Sequence, residues 1–471
     1  MEEELIGWQV GSYSKILAIC AIAVFPVIIW FLKNRVSRGS TLLGIYVICL
    51  FLKGSVDLIG INSTITRFIL EGVALGIFFA TVKRQWPGVI WLIIFIFASL
   101  VSLVLPGSRS NIVLFILFLM QYLELPLLFI ALVNMQFDAR EQNLLTRLIV
   151  YLCVSQIFAG IIKFFIIGIS EPYIGTMSVH EGGITTFFSL AGFASAMGVY
   201  FINHKNKFLW AALGFVIFAI VGAKRASVFY IPLMYIITLL FYKYMGNRRV
   251  HISRYMISGL LLVPILFYFM ARINPSFNPE QKVWGAFDLA YILDYSDAYL
   301  GGEMDSNQVY QSIGRGNAFA YIHQQMNSGK LLHMLMGNGA GELIQSAFNA
   351  NIILTNNSTE LYTLKQYGVG YGFAPGYLRL LVQVGYIGTF SYVFFFVAIL
   401  FQLLSRNKIL FRRSISRYAQ AIALCSIVCC FIILFIFIQY SNSAIILNAA
   451  GFAVVWFISR GYCLVDNLPI N

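Results

Sequence analysis

The chain has 471 residues, of which 59% are hydrophobic and 11% charged, and its formal net charge is +13 at neutral pH. A soluble domain carries about 45–50% apolar and about 25% charged residues, so a soluble globular fold is excluded. The apolar runs are continuous and roughly 15–25 residues long rather than short and alternating, which excludes an outer-membrane barrel and leaves an all-α polytopic membrane protein.

Windows of bilayer length predict about thirteen transmembrane helices. They run approximately over Ser14–Leu32, Leu42–Ile61, Ile65–Val82, Val89–Leu105, Ile112–Val133, Leu148–Ile167, Thr186–Ile202, Phe208–Gly222, Val228–Tyr242, Tyr255–Ala271, Gly376–Leu404, Tyr418–Ile438 and Ala444–Ser459. No cleavable signal peptide is expected, because Glu2, Glu3 and Glu4 make the start acidic and no small-residue cleavage pattern follows. No second soluble domain is encoded, so residues 1–471 read as a single integral membrane domain. Its one large loop is residues 272–375.

Basic residues set the orientation. Lys33, Arg35 and Arg38, then Lys83 and Arg84, Lys205 and Lys207, Lys243, Arg248, Arg249 and Arg254, and Arg406, Lys408, Arg412, Arg413 and Arg417 fall in alternate loops, and that face is cytoplasmic. The N-terminus and the loop 272–375 then lie on the extracytoplasmic side, and the C-terminus lies inside. The charge of +13 is largely this topology signal, so no nucleic-acid partner follows from it. Of the seven cysteines, six fall within spans and Cys463 is cytoplasmic, so no extracytoplasmic disulfide framework is expected.

Several ionisable groups sit inside predicted spans, where a charge costs at least about 2.5–3.5 kcal/mol. Lys53 and Asp57, and Arg67 and Glu71, are each four residues apart, a spacing at which they pair on one helix face. Lys163 lies near the outer end of its span and is placed to snorkel. Glu124 differs: it lies near the middle of Ile112–Val133, two residues before a kink expected at Pro126, with no partner at helical spacing. Three readings stand for it: a protonated packing residue, part of a proton path, or the partner of a cation on another helix.

The chemistry is expected near the outer helix ends. Gly222-Ala223-Lys224-Arg225-Ala226-Ser227 is a tight outer connection holding two adjacent cations, although outer loops are ordinarily poor in Lys and Arg. Side chains in so short a connection lie close to the backbone amides of the next helix, whose positive end adds to them, and together they suit an anion at the membrane surface. The alternative is a pair of residues snorkelling to lipid headgroups. Within the long loop, Ser312-Ile313-Gly314-Arg315-Gly316-Asn317 places Arg315 near a helix start, ahead of an amphipathic stretch with Phe319, Ile322 and Met326 on one face. Met336-Gly337-Asn338-Gly339-Ala340-Gly341-Glu342 lacks the Lys-Ser/Thr ending of a nucleotide-binding loop and reads alone as a turn. Gly376 through Gly388 then re-enters the membrane, carrying Tyr377 and, about one turn inside the outer surface, Arg379.

In this order the features resemble the O-antigen polymerase and ligase superfamily of bacterial inner membranes, the Wzy-type proteins. Those proteins have about a dozen spans, a short outer connection with a small-Arg-small motif like Lys224-Arg225-Ala226-Ser227, and a long outer loop. The loop's Gly-Arg, Gly-x-Gly turn and Leu-rich re-entering segment correspond to Gly314-Arg315, Gly337-Asn338-Gly339 and Tyr377 through Gly388. The resemblance covers chiefly Gly222 to Leu404; the N-terminal spans contribute only hydropathy.

The resemblance implies a lipid-dependent, GT-C-like glycosyltransferase architecture acting at the periplasmic face of the bacterial inner membrane. Its donor would be an oligosaccharide on polyprenyl (undecaprenyl) diphosphate, with no metal or cofactor, and a polysaccharide chain-length regulator is a further partner that it admits. Breaking the bond from the anomeric carbon to the diphosphate releases negative charge, for which arginine offers a fixed fork of donors. Arg225 and Arg315 are the candidates for that clamp, with Lys224, Arg379 and Tyr377 as further substrate-binding candidates. Ligase relatives carry a His-Asn pair before the re-entering span, where this chain has Ala374-Pro375, which favours a polymerase over a ligase. Candidates for activating the acceptor hydroxyl are His180, Glu181 and His323, each of which reads equally as a solvated loop residue. A lipid-linked oligosaccharide flippase or proton-coupled transporter is the alternative class, resting on Glu124; a transporter commonly repeats its halves and concentrates charge at the midplane. A non-catalytic scaffold is a third reading and leaves the paired outer cations unexplained.

Overall fold

The computed structural model describes residues 38–58, 63–81, 85–106, 108, 110–167, 176–177, 182–222, 226–246, 264–265, 267–274, 277–294, 315–343 and 376–413, with scattered positions between 422 and 463. Among the described residues the protein is all-helical, without a strand. The helices are α1 (Arg38–Leu58), α2 (Ser63–Thr81), α3 (Val89–Val104), α4 (Ile112–Asn134), α5 (Ala139–Ile167) and α6 (Gly182–Asn203), followed by α7 (Asn206–Val221) and α8 (Ala226–Gly246). Two helices of the long loop, α9 (Arg315–Ser328) and α10 (Leu331–Met336), precede α11 (Gly376–Arg413).

Five of these, α1, α4, α5, α6 and α11, contain segments long and apolar enough to cross a membrane, and α2, α3, α7 and α8 carry shorter apolar segments. The protein is therefore a helical membrane protein. The predicted span Ser14–Leu32 lies outside the described residues, and Tyr255–Ala271, Tyr418–Ile438 and Ala444–Ser459 are described only in part.

Two helices depart furthest from the hydropathy boundaries, each for a local reason. The helix α5 begins at Ala139, ahead of the predicted Leu148, because Asp138-Ala139-Arg140-Glu141 makes a capping arrangement. There the Glu141 carboxylate accepts from Asp138 N–H at 3.4 Å, and the Asp138 carbonyl accepts from Gln142 N–H at 2.9 Å. Hydropathy marks where a helix is apolar, and caps mark where it starts. The helix α11 likewise continues past Leu404 to Arg413 through residues that favour helix once outside the apolar run.

The connections are tied by side-chain amides. Asn111 caps α4 by accepting from Leu114 N–H at 2.9 Å. At the other end of α4, Asn134 exchanges hydrogen bonds with the backbone of Gln85, at 3.0 and 2.7 Å, fixing the start of α3 against the end of α4. The helix α3 lies along α11, α2 along α4, and α6 packs against both α7 and α8. Where α3, α4 and α11 meet, Phe95, Phe118, Tyr122 and Tyr392 pack ring to ring with centroids 4.8–6.3 Å apart. With lipid as solvent there is little hydrophobic drive between helices, so this dispersion-rich packing carries the contact.

Candidate functional site

The glycine-rich turn of the long loop is not a surface turn. The helix α11 breaks at Gly385, whose φ of 64° and ψ of −170° lie in a region that essentially only glycine occupies. In an unbroken helix the carbonyls of Val382 and Gln383 would accept from residues 386 and 387. Here they accept instead from Asn338 N–H at 2.9 Å and Gly339 N–H at 3.2 Å. The two backbones touch: a Cβ on Gly337 would lie 2.3 Å from the Gln383 carbonyl oxygen, and one on Gly385 would lie 2.4 Å from Leu335 backbone. Glycine on both sides is what lets the loop seat in the break.

Gln383 completes the seat. Its Oε1 accepts from Gly341 N–H at 3.1 Å and Leu343 N–H at 3.4 Å, and its Nε2 donates to the Arg379 carbonyl at 3.1 Å. Tyr122 of α4 is hydrogen-bonded to the same side chain. On the far side, Ala340 N–H donates to Ser102 Oγ of α3 at 3.0 Å, and Ser110 Oγ donates to the Ala340 carbonyl. The turn therefore plugs the space between α3, α4 and α11 and buries Glu342. Two features of the chain mark this seat: a neutral amide in an apolar span four residues after Arg379, and glycines facing one another from two segments.

Arg379 and Tyr377 project differently from the first turn of α11. Arg379 is 2% exposed and turned to the bundle interior beside Tyr122. Tyr377 faces α9, where the structure brings it together with His323. His323 Nδ1 lies 2.6 Å from Tyr386 Oη, Tyr377 Oη lies 3.4 Å from Nε2, and Tyr386 Oη donates to Asn327 Oδ1 at 3.3 Å. A tyrosine has one hydroxyl proton: in the tautomer where Tyr386 gives it to Asn327, the imidazole donates from Nδ1–H and Nε2 keeps its lone pair. Desolvation on burial lowers the pKa of His323, which favours the neutral ring. Phe319, Tyr377, Tyr386 and Phe390 continue as an aromatic row around it, with centroids 5.7–6.1 Å apart from one ring to the next.

Arg315 is the first residue of α9, about 12 Å of helix rise before His323; its side chain lies outside those described. Lys224, Arg225, His180 and Glu181 also lie outside the described residues. Their flanks are fixed nonetheless. The helix α7 ends at Val221 and α8 begins at Ala226, leaving a connection as short as the sequence reading requires. Ahead of His180, Thr176 and Met177 dock into the bundle: Thr176 Oγ1 donates to the Phe51 carbonyl at 2.7 Å, Gln156 Oε1 accepts from Thr176 N–H at 2.8 Å, and the Met177 carbonyl accepts from Gly54 N–H at 3.1 Å. Nothing in the local sequence separates this docked pair from an ordinary loop.

A second polar group lies between α1, α2 and α4. Tyr46 is within electrostatic reach of both Glu124 and Glu71, all three buried. The partner expected for Glu71 at helical spacing, Arg67, and that for Lys53, Asp57, have side chains outside those described, as does Lys163. Pro126 sits within α4, which continues to Asn134. No protein-family model matches the chain, and no curated protein matches it.

Proposed function

We propose that this chain is a metal-independent glycosyltransferase of the O-antigen polymerase type. In this reading it joins polyprenyl (undecaprenyl) diphosphate-linked repeat units into surface polysaccharide at the periplasmic face of the bacterial inner membrane, within a GT-C-like bundle of about thirteen spans. The observation that carries the reading is the placement of His323 between two tyrosine hydroxyls, Tyr386 Oη at 2.6 Å from Nδ1 and Tyr377 Oη at 3.4 Å from Nε2, on the helix that Arg315 opens.

The donor diphosphate rests against Arg225, Lys224 and Arg315, with its lipid tail in the membrane. A hydroxyl of the second carrier-linked unit takes the place of Tyr377 Oη at His323 Nε2 and gives up its proton as its oxygen attacks the anomeric carbon. The new C–O bond forms as the bond to the diphosphate breaks, with inversion. The electron pair leaves with the carrier diphosphate, where the cations stabilise it, and the proton passes from the imidazolium to solvent. Arg379, turned to Tyr122, supports the floor of the site rather than touching the reacting groups.

One observation favours a second reading. The Tyr46, Glu71 and Glu124 group lies inside the bundle on α1, α2 and α4, where a proton-coupled flippase would keep its ionisable residues. Purified protein given only carrier-linked repeat units, with no ion gradient, separates the two. Polymerase chemistry predicts longer carrier-linked glycans, lost in Arg315→Ala and largely kept in Glu124→Gln. Translocation of intact substrate without extension, lost in Glu124→Gln and kept in Arg315→Ala, would replace the polymerase reading by transport.

A further inference from the structure

The described residues between 264 and 294 form a knot at the end of a helix that buries a small core while holding other large apolar side chains outside it. Ala271, Phe277 and Ile292 are buried together. Trp284, Leu289 and Leu293 are 53%, 51% and 56% exposed, and Tyr268, Phe269, Val283 and Phe287 are each 41% exposed. Large apolar side chains held outside a well-braced unit mark a surface that something covers.

The bracing is extensive. Asn278 Nδ2 donates to the carbonyls of Asn274 at 2.9 Å, Lys282 at 2.8 Å and Ala271 at 3.4 Å, and its Oδ1 accepts from Lys282 N–H at 3.1 Å. Gly285 N–H donates to the Arg272 carbonyl at 3.0 Å, and Arg272 Nε donates back to the Gly285 carbonyl at 3.1 Å. A Cβ on Gly285 would lie 2.1 Å from Asn278 Oδ1, so only glycine closes the knot. Glu280, ion-paired with Lys282 at 2.9 Å, accepts from Ala286 N–H at 3.1 Å.

This knot holds Gln281 at φ 50° and Trp284 at φ 62°, left-handed conformations that are unfavourable for side chains of this size. The strain does not serve burial, because the indole ends up outside. It places the ring beside the Arg272 guanidinium, 5.7 Å from the ring centroid, and edge-on to Phe269 at 6.5 Å. Arg272 also lies 5.8 Å from the Tyr268 ring centroid and donates from Nη1 to Tyr268 Oη at 3.1 Å. Aromatic rings grouped around one arginine, with aliphatic side chains beside them, match the composition of a membrane interface: rings at headgroup depth, apolar chains below and a cation at the phosphates.

We propose that residues 277–293 are an interfacial anchor that seats Trp284, Phe287, Leu289 and Leu293 in the headgroup and upper acyl region of the bilayer in which the chain itself sits, with Arg272 at phosphate level. The occupant is lipid rather than a protein partner because the patch is continuous with exposed rings of the helix leading into it, Phe287 packing on Tyr268 at 5.5 Å and Trp284 on Phe269 at 6.5 Å. The anchor fixes the beginning of the long loop at a set depth. It does not depend on the polymerase reading.

The test uses the full chain in nanodiscs of phosphatidylcholine and phosphatidylglycerol. The emission of Trp284 is isolated as the difference between wild type and Trp284→Phe. The anchor predicts blue-shifted emission that loses most of its intensity when the lipids are brominated near the headgroup end of the chains and little when iodide is added to the water. A Phe287→Trp substitution in the Trp284→Phe chain should behave the same way and guards against a local effect of the first substitution. Water-like emission quenched by iodide would overturn the proposal, and so would emission protected from both quenchers, which would mean that protein covers the patch.

Discussion

Gly385→Ala puts the interlock between the loop and α11 to the test. At φ 64° and ψ −170° an alanine carries strain of about 1–3 kcal/mol. Its Cβ would also meet Leu335 backbone at 2.4 Å, and a backbone cannot rotate away as a side chain can. The turn must therefore lift, loosening the bonds from Asn338 and Gly339 to the carbonyls of Val382 and Gln383, each worth about 0.5–1.5 kcal/mol. Together the loss is about 2–6 kcal/mol. Because Gly385 directly precedes Tyr386, whose hydroxyl orients His323, polymer formation should fall along with stability. The assay is the apparent melting temperature in detergent alongside polymer yield, with Gly72→Ala and Gly76→Ala as controls. Those glycines lie in α2, where an added Cβ would meet nothing within 4 Å, so alanine there should be neutral or stabilising by up to about 1 kcal/mol. If Gly385→Ala melts with wild type while the α2 substitutions unfold the protein, the interlock is not what holds the loop.

Tyr386→Phe removes the hydrogen bond that orients His323 Nδ1 and should lower kcat with little change in KM, whereas His323→Ala should remove extension altogether; unchanged kcat in both would end the base assignment. Since burial lowers the His323 pKa, the active neutral ring persists below the ordinary histidine value of about 6.5, and extension should fall only on acidification beyond it. An acid limb centred above that value would contradict the burial argument. Arg225→Ala should abolish polymer while leaving the protein in the membrane, and Arg225→Lys should rescue poorly because a point charge does not reproduce a bidentate phosphate contact; Lys224→Ala should cost less. Normal polymer from Arg225→Ala would return that residue to headgroup snorkelling. Cysteines introduced at Ser306 and Ser328 should react with impermeant reagent from the periplasmic side, and reaction from the cytoplasmic side alone would invert the topology and the mechanism with it.

The helices α1, α4, α5, α6 and α11 are readable from sequence because a bilayer forces backbone polar groups to pair within each segment, so apolar length marks them. Their starts are readable only where a side chain closes the end, as Glu141 does for α5. His323 and Tyr377 are identifiable as residue types suited to the chemistry, but their meeting depends on α9 packing against α11, a relation between segments more than fifty residues apart. Gln383 is a weaker signal in sequence than a charge, because it is a neutral amide in an apolar span, and its importance lies in the loop amides it receives. Helical spacing gives Glu124 no partner on its own helix; its neighbour is Tyr46 on α1, which no single-helix spacing can reveal.

The seated turn also bears on the choice between transferase and transporter. A substrate path along the seam of α3, α4 and α11 would have to dislodge the turn and break the bonds made by Asn338, Gly339, Ala340, Gly341 and Leu343 N–H and by Ser110 Oγ. At about 0.5–1.5 kcal/mol each, opening costs about 3–9 kcal/mol, which leaves the open seam in fewer than about one molecule in a hundred. A transporter must populate its open state in every cycle, while a transferase gains from a floor that stays still beneath His323 and Tyr386. A transport path past Tyr46, Glu71 and Glu124, between α1, α2 and α4, would not require the turn to move. That is why Glu124→Gln and Arg315→Ala discriminate: Glu124 belongs to the buried group with Tyr46 and Glu71, whereas Arg315 opens the helix that carries His323.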